Sequence, residues 1–537
     1  MTAPKRTPAS KTDAAGSIGV SWRLASDIRT LAVLASLVVS AWLIATGDIV
    51  NNDGMLYLSA AERIAQGDWE AARGLYGWLF YPWLIAVISG IAPLGLEASA
   101  HLVDAAMAAV MVYAFLSIVR ELGGDRKVEL IAAFVIVFHP YLNDSRAEIL
   151  RDHGYWALYL LATFYFLKCH RNPSWPNALS WACLMALATL FRIEGSVILV
   201  ALPFLLLLKR DELPARRLRA FGRAYTLNAL VLAAVAVWAA VEPDFTDQAG
   251  RLLDPIRKLN QLFASVGEGF QIKAQRLHDA VLTGYTDQYA VPALLAVVFL
   301  IMTDNVVRTL SPLYVVLPAF RRFRARLTFP HGVPMILASL CGLHLLSALV
   351  FLVPHYYMSS RHVVAASLTL LVTIPFVLAS VHDRWIQRGR GGRFQRWPYP
   401  LIAAALVFMA ADGLLSVGGA SKRYIREAGA WLQQNVSQDT RLYSNHRKVL
   451  FYGGRPLEFE GPPKAPLAAN WISERAWRRY DYVALWERGN DGEDAQVLAE
   501  AAELELVASF ANDEGDRVLI FSVGPSAAPT RAAPISP

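Results

Sequence analysis

Four groups of ionisable residues stand where apolar runs end. They are Asp53, the run Asn143-Asp144-Ser145-Arg146-Ala147-Glu148-Ile149-Leu150-Arg151-Asp152-His153, the pair Arg192 and Glu194, and the segment His355 to His362 with Tyr356 and Arg361. A carboxylate such as Asp53 can take a proton from a hydroxyl. Guanidinium groups such as Arg146, Arg151 and Arg361 can hold a phosphate through paired N–H donors. Each group also has a plainer reading. Asn52 or Asp53 can cap the helix that Met55, Leu58, Ala61 and Ala65 trace at spacings of three and four. Arg146 and Arg151 can pair with Asp144 and Glu148, and a charged turn at Arg192-Ile193-Glu194 can brace a hairpin. Glu148 and Asp152, four apart, share a face if the segment is helical, and their oxygens suit Mg or Mn, which makes a divalent metal one option. His139, His153, His355 and His362 lack a spacing such as HxxxH, so metal ligation by histidine is not expected.

Charge at such positions has to be carried by elements that meet the membrane boundary. Of 537 residues, 55% are hydrophobic and 18% charged, and the mean hydropathy is +0.34; soluble domains carry roughly 25% charged residues. Apolar runs of about 17 to 24 residues recur along the chain, long enough for a hydrocarbon core of about 30 Å. The expected fold class is a polytopic α-helical membrane protein with a small C-terminal α/β domain. The net charge of +7 does not point to nucleic acid, because Lys and Arg concentrate in short segments between apolar runs, where topology calls for them. Cys169, Cys183 and Cys341 lie in or beside apolar runs with no CxxC, and read as packing residues.

Positive charge orders the topology. Lys5, Arg6, Lys11, Arg23 and Arg29 precede the first span, about 28 to 47, and place the N-terminus in the cytoplasm. Residues 1–22 are polar and read as disordered, and the long run from Leu31 is not a cleavable leader. If Trp78 to Leu94 crossed, the helix from about 98 to 119 would carry Arg120, Arg126 and Lys127 outside. Keeping 48–97 as one outer loop with surface helices removes the conflict. Later spans then fall at about 128–142, 154–168, 177–192, 195–208, 224–241, 289–304, 333–353, 363–381 and 399–417, with outer loops 143–153 and 242–288. That gives about eleven crossings within a membrane domain of 23–417, while 306–320 reads either as a surface helix or as a continued span. All four polar groups then face outside. Residues 418–523 form the outer domain, with a helix at Tyr424 to Asn435 and short strands at Arg441 to Ser444, Val449 to Tyr452, Tyr482 to Leu485 and Val518 to Phe521. The Pro- and Ala-rich tail, 524–537, reads as disordered.

In this order, a first span followed by Asp53 in DGMLYLSAAERIAQGDW, then Tyr81-Pro82, a span ending in HPYLNDSRAEILRD, and LATLFRIEGSVIL together resemble the polyprenyl-phosphate-sugar glycosyltransferases of the GT-C class. Within it they look most like the dolichyl-phosphate-mannose protein mannosyltransferase, family 39 and aminoarabinose-transferase group. The resemblance covers about residues 28 to 380, and the order and sidedness of the motifs carry it more than any one of them. It implies Asp53 as general base and Arg146, Glu148, Arg151 and Asp152 as the donor site, with Arg361 at the lipid phosphate. Arg192, Glu194, Tyr81, His355 and Tyr356 are supporting candidates. The chain reads Asn52-Asp53 where protein mannosyltransferases carry paired acids, and PHYYMSSRH where relatives often have an Arg-Tyr pair. The expected function is transfer of a monosaccharide from a polyprenyl-phosphate carrier to a periplasmic acceptor by inverting displacement, in the bacterial inner membrane. The partners are the lipid-linked donor, membrane lipids and a glycolipid, polysaccharide or protein acceptor. A transporter or lipid flippase, or a non-catalytic envelope-assembly scaffold, is the alternative. Transporters tend to show internal repeats and helices broken at the midplane, and neither is evident.

Overall fold

In hydrocarbon every backbone N–H and C=O must be satisfied within its own segment, so the apolar runs fold as helices. A computed structural model describes residues 27–241, 267–387, 398–415, 421–455, 476–489 and 504–524. Among these, six helical stretches are long and apolar enough to cross a membrane: Ile28–Thr46, Leu96–Glu121, Asp287–Leu310, Val333–His355, Val364–Gln387 and Pro398–Leu415. The protein is a multi-pass membrane protein. The other expected crossings coincide with shorter or more polar helices, among them Arg126–Val137, Arg151–Arg171, Trp175–Phe191 and Pro214–Val241. The expected span at 128–142 is interrupted: its helix ends at Val137, and Pro140 opens a separate turn of helix, Pro140–Asp144. The ambiguous run at 306–320 continues the preceding helix to Leu310, then breaks at Ser311, whose φ of 72° precedes Pro312. The expected disordered ends, 1–22 and 524–537, and much of the loop 242–288 lie largely outside the described residues.

The chain divides into two compact units. The first comprises Met1–Ala41, Ala105–Asn143 and Arg151–Leu414. At one end of it the basic residues that ordered the topology are tied to acids. Arg120 pairs with Glu129 at 2.5 Å and with Asp27 at 3.1 Å, while Arg326 joins Asp125 and Asp383, each at 2.7 Å. The Asp27–Arg120 contact brings the start of the first span beside the end of Leu96–Glu121. Helix Phe80–Ile91, which belongs to the second unit, has 12 residues, about 18 Å at 1.5 Å per residue, less than the roughly 30 Å of a hydrocarbon core. Helices Arg151–Arg171 and Trp175–Phe191 pack intimately: a Cβ at Gly154 would run into the Phe191 ring.

The second unit comprises Trp42–Asp104, Asp144–Leu150 and Leu415–Pro537. Its sheet has the order β1-β2-β4-β3, from β1 (Leu442–Ser444), β2 (Tyr482–Glu487), β3 (Glu505–Ala511) and β4 (Arg517–Ser522). β1 runs parallel to β2, and β4 is antiparallel to both β2 and β3. Helix Arg423–Asn435 lays Tyr424, Ile425, Ala428 and Leu432 on Ala484, Val518 and Ile520 to form the core. The segment Val449 to Tyr452, expected as a strand, is instead part of helix Arg447–Tyr452. A four-residue apolar run has no period of its own, and packing decides it: a Cβ at Gly429 would meet Tyr452, so the two helices approach closely. β3 was not anticipated; its exposed Glu505 and Leu506 and its register shift blur the alternation that marks a strand.

Candidate functional site

In the first unit, four of the sequence-predicted residues gather. Arg192 ends helix Trp175–Phe191 in extended backbone, and its guanidinium donates to Asp152 and, at 2.6 Å, to Glu194. Arg361, on the short turn Ser360–His362, places Nη1 3.8 Å from Asp152. Asp152 is 2% exposed and Arg192 7%, so neither charge is offset by water. Burial pushes the Asp152 carboxyl up, but Arg192, Arg361 and Arg151 outweigh it and hold the carboxyl below its ordinary value. Asp152 and Glu194 offset Arg192 and Arg361, and Arg151 adds a further positive charge nearby. His355 and His362 each stack against Phe351, with ring centres 4.5 Å apart. Tyr356 follows with φ 52°, and Lys273 sits over its ring at 4.3 Å. Tyr155, Trp156, Arg192, Glu194, Arg361 and His362 line a cleft, together with His344 from the middle of helix Val333–His355.

In the second unit, Asp53 sits in the first turn of helix Asn52–Ala65 and is half-buried. The position that caps this helix is Asn51, and its side chain makes no cap. Instead Asn51 Oδ1 accepts from the Ile149 N–H at 3.0 Å while its Nδ2 donates to the Ile149 carbonyl at 3.2 Å. The helix that carries Asp53 is thereby fastened to the segment that carries Arg146 and Glu148. Gly54 allows the approach, because a Cβ there would lie 3.0 Å from that of Ile149. One residue on, the Leu150 N–H donates to Asp104 at 3.2 Å, and Asp104 also accepts from the Tyr81 hydroxyl at 2.8 Å. With these N–H groups bonded to side chains, residues 145–150 are not helical, and the helix starts only at Arg151. Glu148 and Asp152 therefore do not share a helical face as expected. Arg146 is buried and Glu148 exposed, with Lys448 within electrostatic reach of Glu148. Among the described residues no group of three or more His, Cys, Asp or Glu side chains is arranged to hold a metal ion.

Removing the Asn51 amide should strand the Ile149 N–H and carbonyl, at a cost of about 1–3 kcal/mol. Asn51→Ala is expected to lower the unfolding temperature of the purified chain by several degrees, and an unchanged melt would show that other contacts hold the loop.

Sequence reasoning missed four residues of these clusters. Asp104 is a lone carboxylate in the expected span 98–119, and a carboxylate in an apolar helix was a usable signal. His344, alone in the span 333–353, gave a similar one. Asn51, one residue before the expected caps Asn52 and Asp53, and Tyr155 were not singled out.

No family model and no curated protein matches the chain. Solved structures similar to it include the following three. The archaeal oligosaccharyltransferase AglB from Archaeoglobus fulgidus, in complex with an inhibitory peptide and a dolichol-phosphate, aligns with a TM-score of 0.48 at 15% identity, over 88% of this chain and 70% of that one. The Archaeoglobus fulgidus oligosaccharyltransferase tethered with an acceptor peptide gives 0.48 at 13%, over 93% and 74%. ArnT from Cupriavidus metallidurans in the apo state gives 0.42 at 14%, over 95% and 100%.

Proposed function

We propose that this chain is a membrane glycosyltransferase that takes a monosaccharide from a polyprenyl-phosphate carrier and attaches it to a periplasmic acceptor. The observation that carries the reading is the fastening of the Asp53 helix to residues 145–150 through the paired Asn51 and Ile149 bonds. It joins a carboxylate and a guanidinium, Arg146, from distant parts of the sequence within one compact unit. A sugar on a polyprenyl phosphate is already activated, so transfer needs a base for the acceptor hydroxyl and cations for the departing phosphate. Asp53 serves as the base, and Arg146, in the same compact unit, as a cation for the phosphate. Direct attack by the acceptor inverts the anomeric carbon. The site lies at the outer face of a bacterial inner membrane, with 1–22 cytoplasmic and 418–523 periplasmic.

The reading is tested by mass spectrometry of envelope lipids, glycans and proteins from cells with and without the chain. A sugar-modified species is expected to vanish without it and return on complementation. Identical profiles, with accumulation of a lipid on one leaflet, would favour the flippase alternative. Orientation has its own expected result: reporter fusions after Gly54, Asn143 and Ser421 all give a periplasmic signal, and a cytoplasmic signal at Asn143 would take residues 145–150 out of the site.

A further inference from the structure

Two residues that line the cleft of the first unit carry buried polar atoms that the ion-pair cluster does not use. Its empty space, open solvent included, is about 290 Å³, with room for a single water-sized group. Tyr155 and His344 line this cleft and are 2% and 3% exposed. Neither the Tyr155 hydroxyl nor His344 Nε2 finds a hydrogen-bond partner among the described residues. Their rings meet edge to face with centres 6.0 Å apart. Burying a hydrogen-bonding group without a partner costs free energy that a well-packed apolar core would avoid, so two such groups beside one niche point to a ligand that completes them. The two unpartnered atoms choose its kind: a ligand hydroxyl can donate to one and accept from the other. Trp156, also in the lining, offers the flat apolar surface against which a sugar ring can lie.

We propose that this niche takes one hydroxyl of the transferred sugar, which makes Tyr155 and His344 the residues that determine which sugar is accepted. The proposal rests on the glycosyltransferase reading above. A pocket built to hydrogen-bond a hydroxyl rejects the analogue that lacks it, because the pocket's own polar groups are then left unpaired. The wild-type chain therefore discriminates strongly between a sugar and its deoxy analogue at one ring position, while Tyr155→Phe and His344→Phe do not.

The experiment uses the full chain in detergent. Its probes are undecaprenyl phosphates carrying glucose, mannose, galactose or arabinose, the monodeoxy analogues of whichever binds, and bare undecaprenyl phosphate, with affinities read by native mass spectrometry. The expected result is that one deoxy analogue binds wild type about 10- to 100-fold more weakly than its parent sugar. That ratio falls to within a few-fold in both variants, and bare undecaprenyl phosphate binds all three proteins alike. Because Tyr155→Phe deletes a hydroxyl without a protein partner, the ligand-free variant is expected to melt at or above the wild-type temperature. If the sugars bind but the deoxy ratio is the same in wild type and variants, the proposal falls and the glycosyltransferase reading stands. If ligand-free Tyr155→Phe melts lower with discrimination unchanged, the niche is structural and the proposal likewise falls. If no carrier in the panel binds, both fall together.

Discussion

Asp53→Asn is expected to reduce sugar transfer in isolated membranes by about 10²- to 10⁴-fold, the range supplied by a positioned general base. Expression and melting should change little. The contrast matters because the same residue has a structural use: a carboxylate in the first turn of a helix interacts with the helix dipole, for about 0.3–1 kcal/mol at an exposed position. That effect is far too small to remove activity by unfolding. The cap position belongs to Asn51, not Asp53, so substitution at Asp53 leaves the Asn51–Ile149 fastening in place. Transfer is to be measured with a radiolabelled polyprenyl-phosphate sugar alongside thermal unfolding of the same preparation. Full activity in the variant would remove Asp53 from the mechanism, while a large fall in melting temperature together with activity would favour the structural use.

Arg192→Met should be the most destabilising single change in the first unit. The guanidinium donates to Asp152 and Glu194, and without it two carboxylates are left close together, one of them 2% exposed. Removing one partner of a buried ion pair typically costs about 3–5 kcal/mol, because the remaining charge has lost both water and its counter-ion. A methionine restores volume and not charge, so packing loss is kept out of the comparison. The expected measurement is a strongly lowered unfolding temperature in detergent at neutral pH, partly recovered in the double variant Arg192→Met with Asp152→Asn. An unaltered melt would mean that Arg361 alone neutralises Asp152. The pH dependence has a definite sign. The Asp152 carboxyl is held below its ordinary value, so its contribution is complete above about pH 4, where the unfolded group ionises, and is lost as pH falls through the lower folded value. The wild-type chain should therefore lose stability on acidification below that point, and the double variant should lose less of it.

How far these clusters were legible in the sequence depends on the range of the interaction that decides each feature. Apolar length and charge bias act locally, and they were enough for a polytopic helical protein with a small C-terminal sheet domain. The same bias picked out Asp53, Arg146, Glu148, Arg151, Asp152, Arg192, Glu194 and Arg361, because charge is costly near hydrocarbon wherever the chain later goes. Short segments were not decided that way. Val449 to Tyr452 became helix because Gly429 lets Tyr452 approach, and residues 145–150 left the helix because Asn51 and Asp104 took their N–H groups. Both outcomes depend on partners 23 to 98 residues away in the chain, a separation no local pattern spans.

The sequence by itself determined the solvent each segment must live in and the charges that stand at its boundaries, since both follow from composition within a few turns of helix. Only the tertiary structure decided which of those charges meet: Arg192 with Asp152 and Glu194 in one unit, and the Asp53 helix with residues 145–150 in the other. The physical reason is that an ion pair or a side-chain to backbone bond has a reach of a few ångströms, and folding alone sets which distant residues come within it.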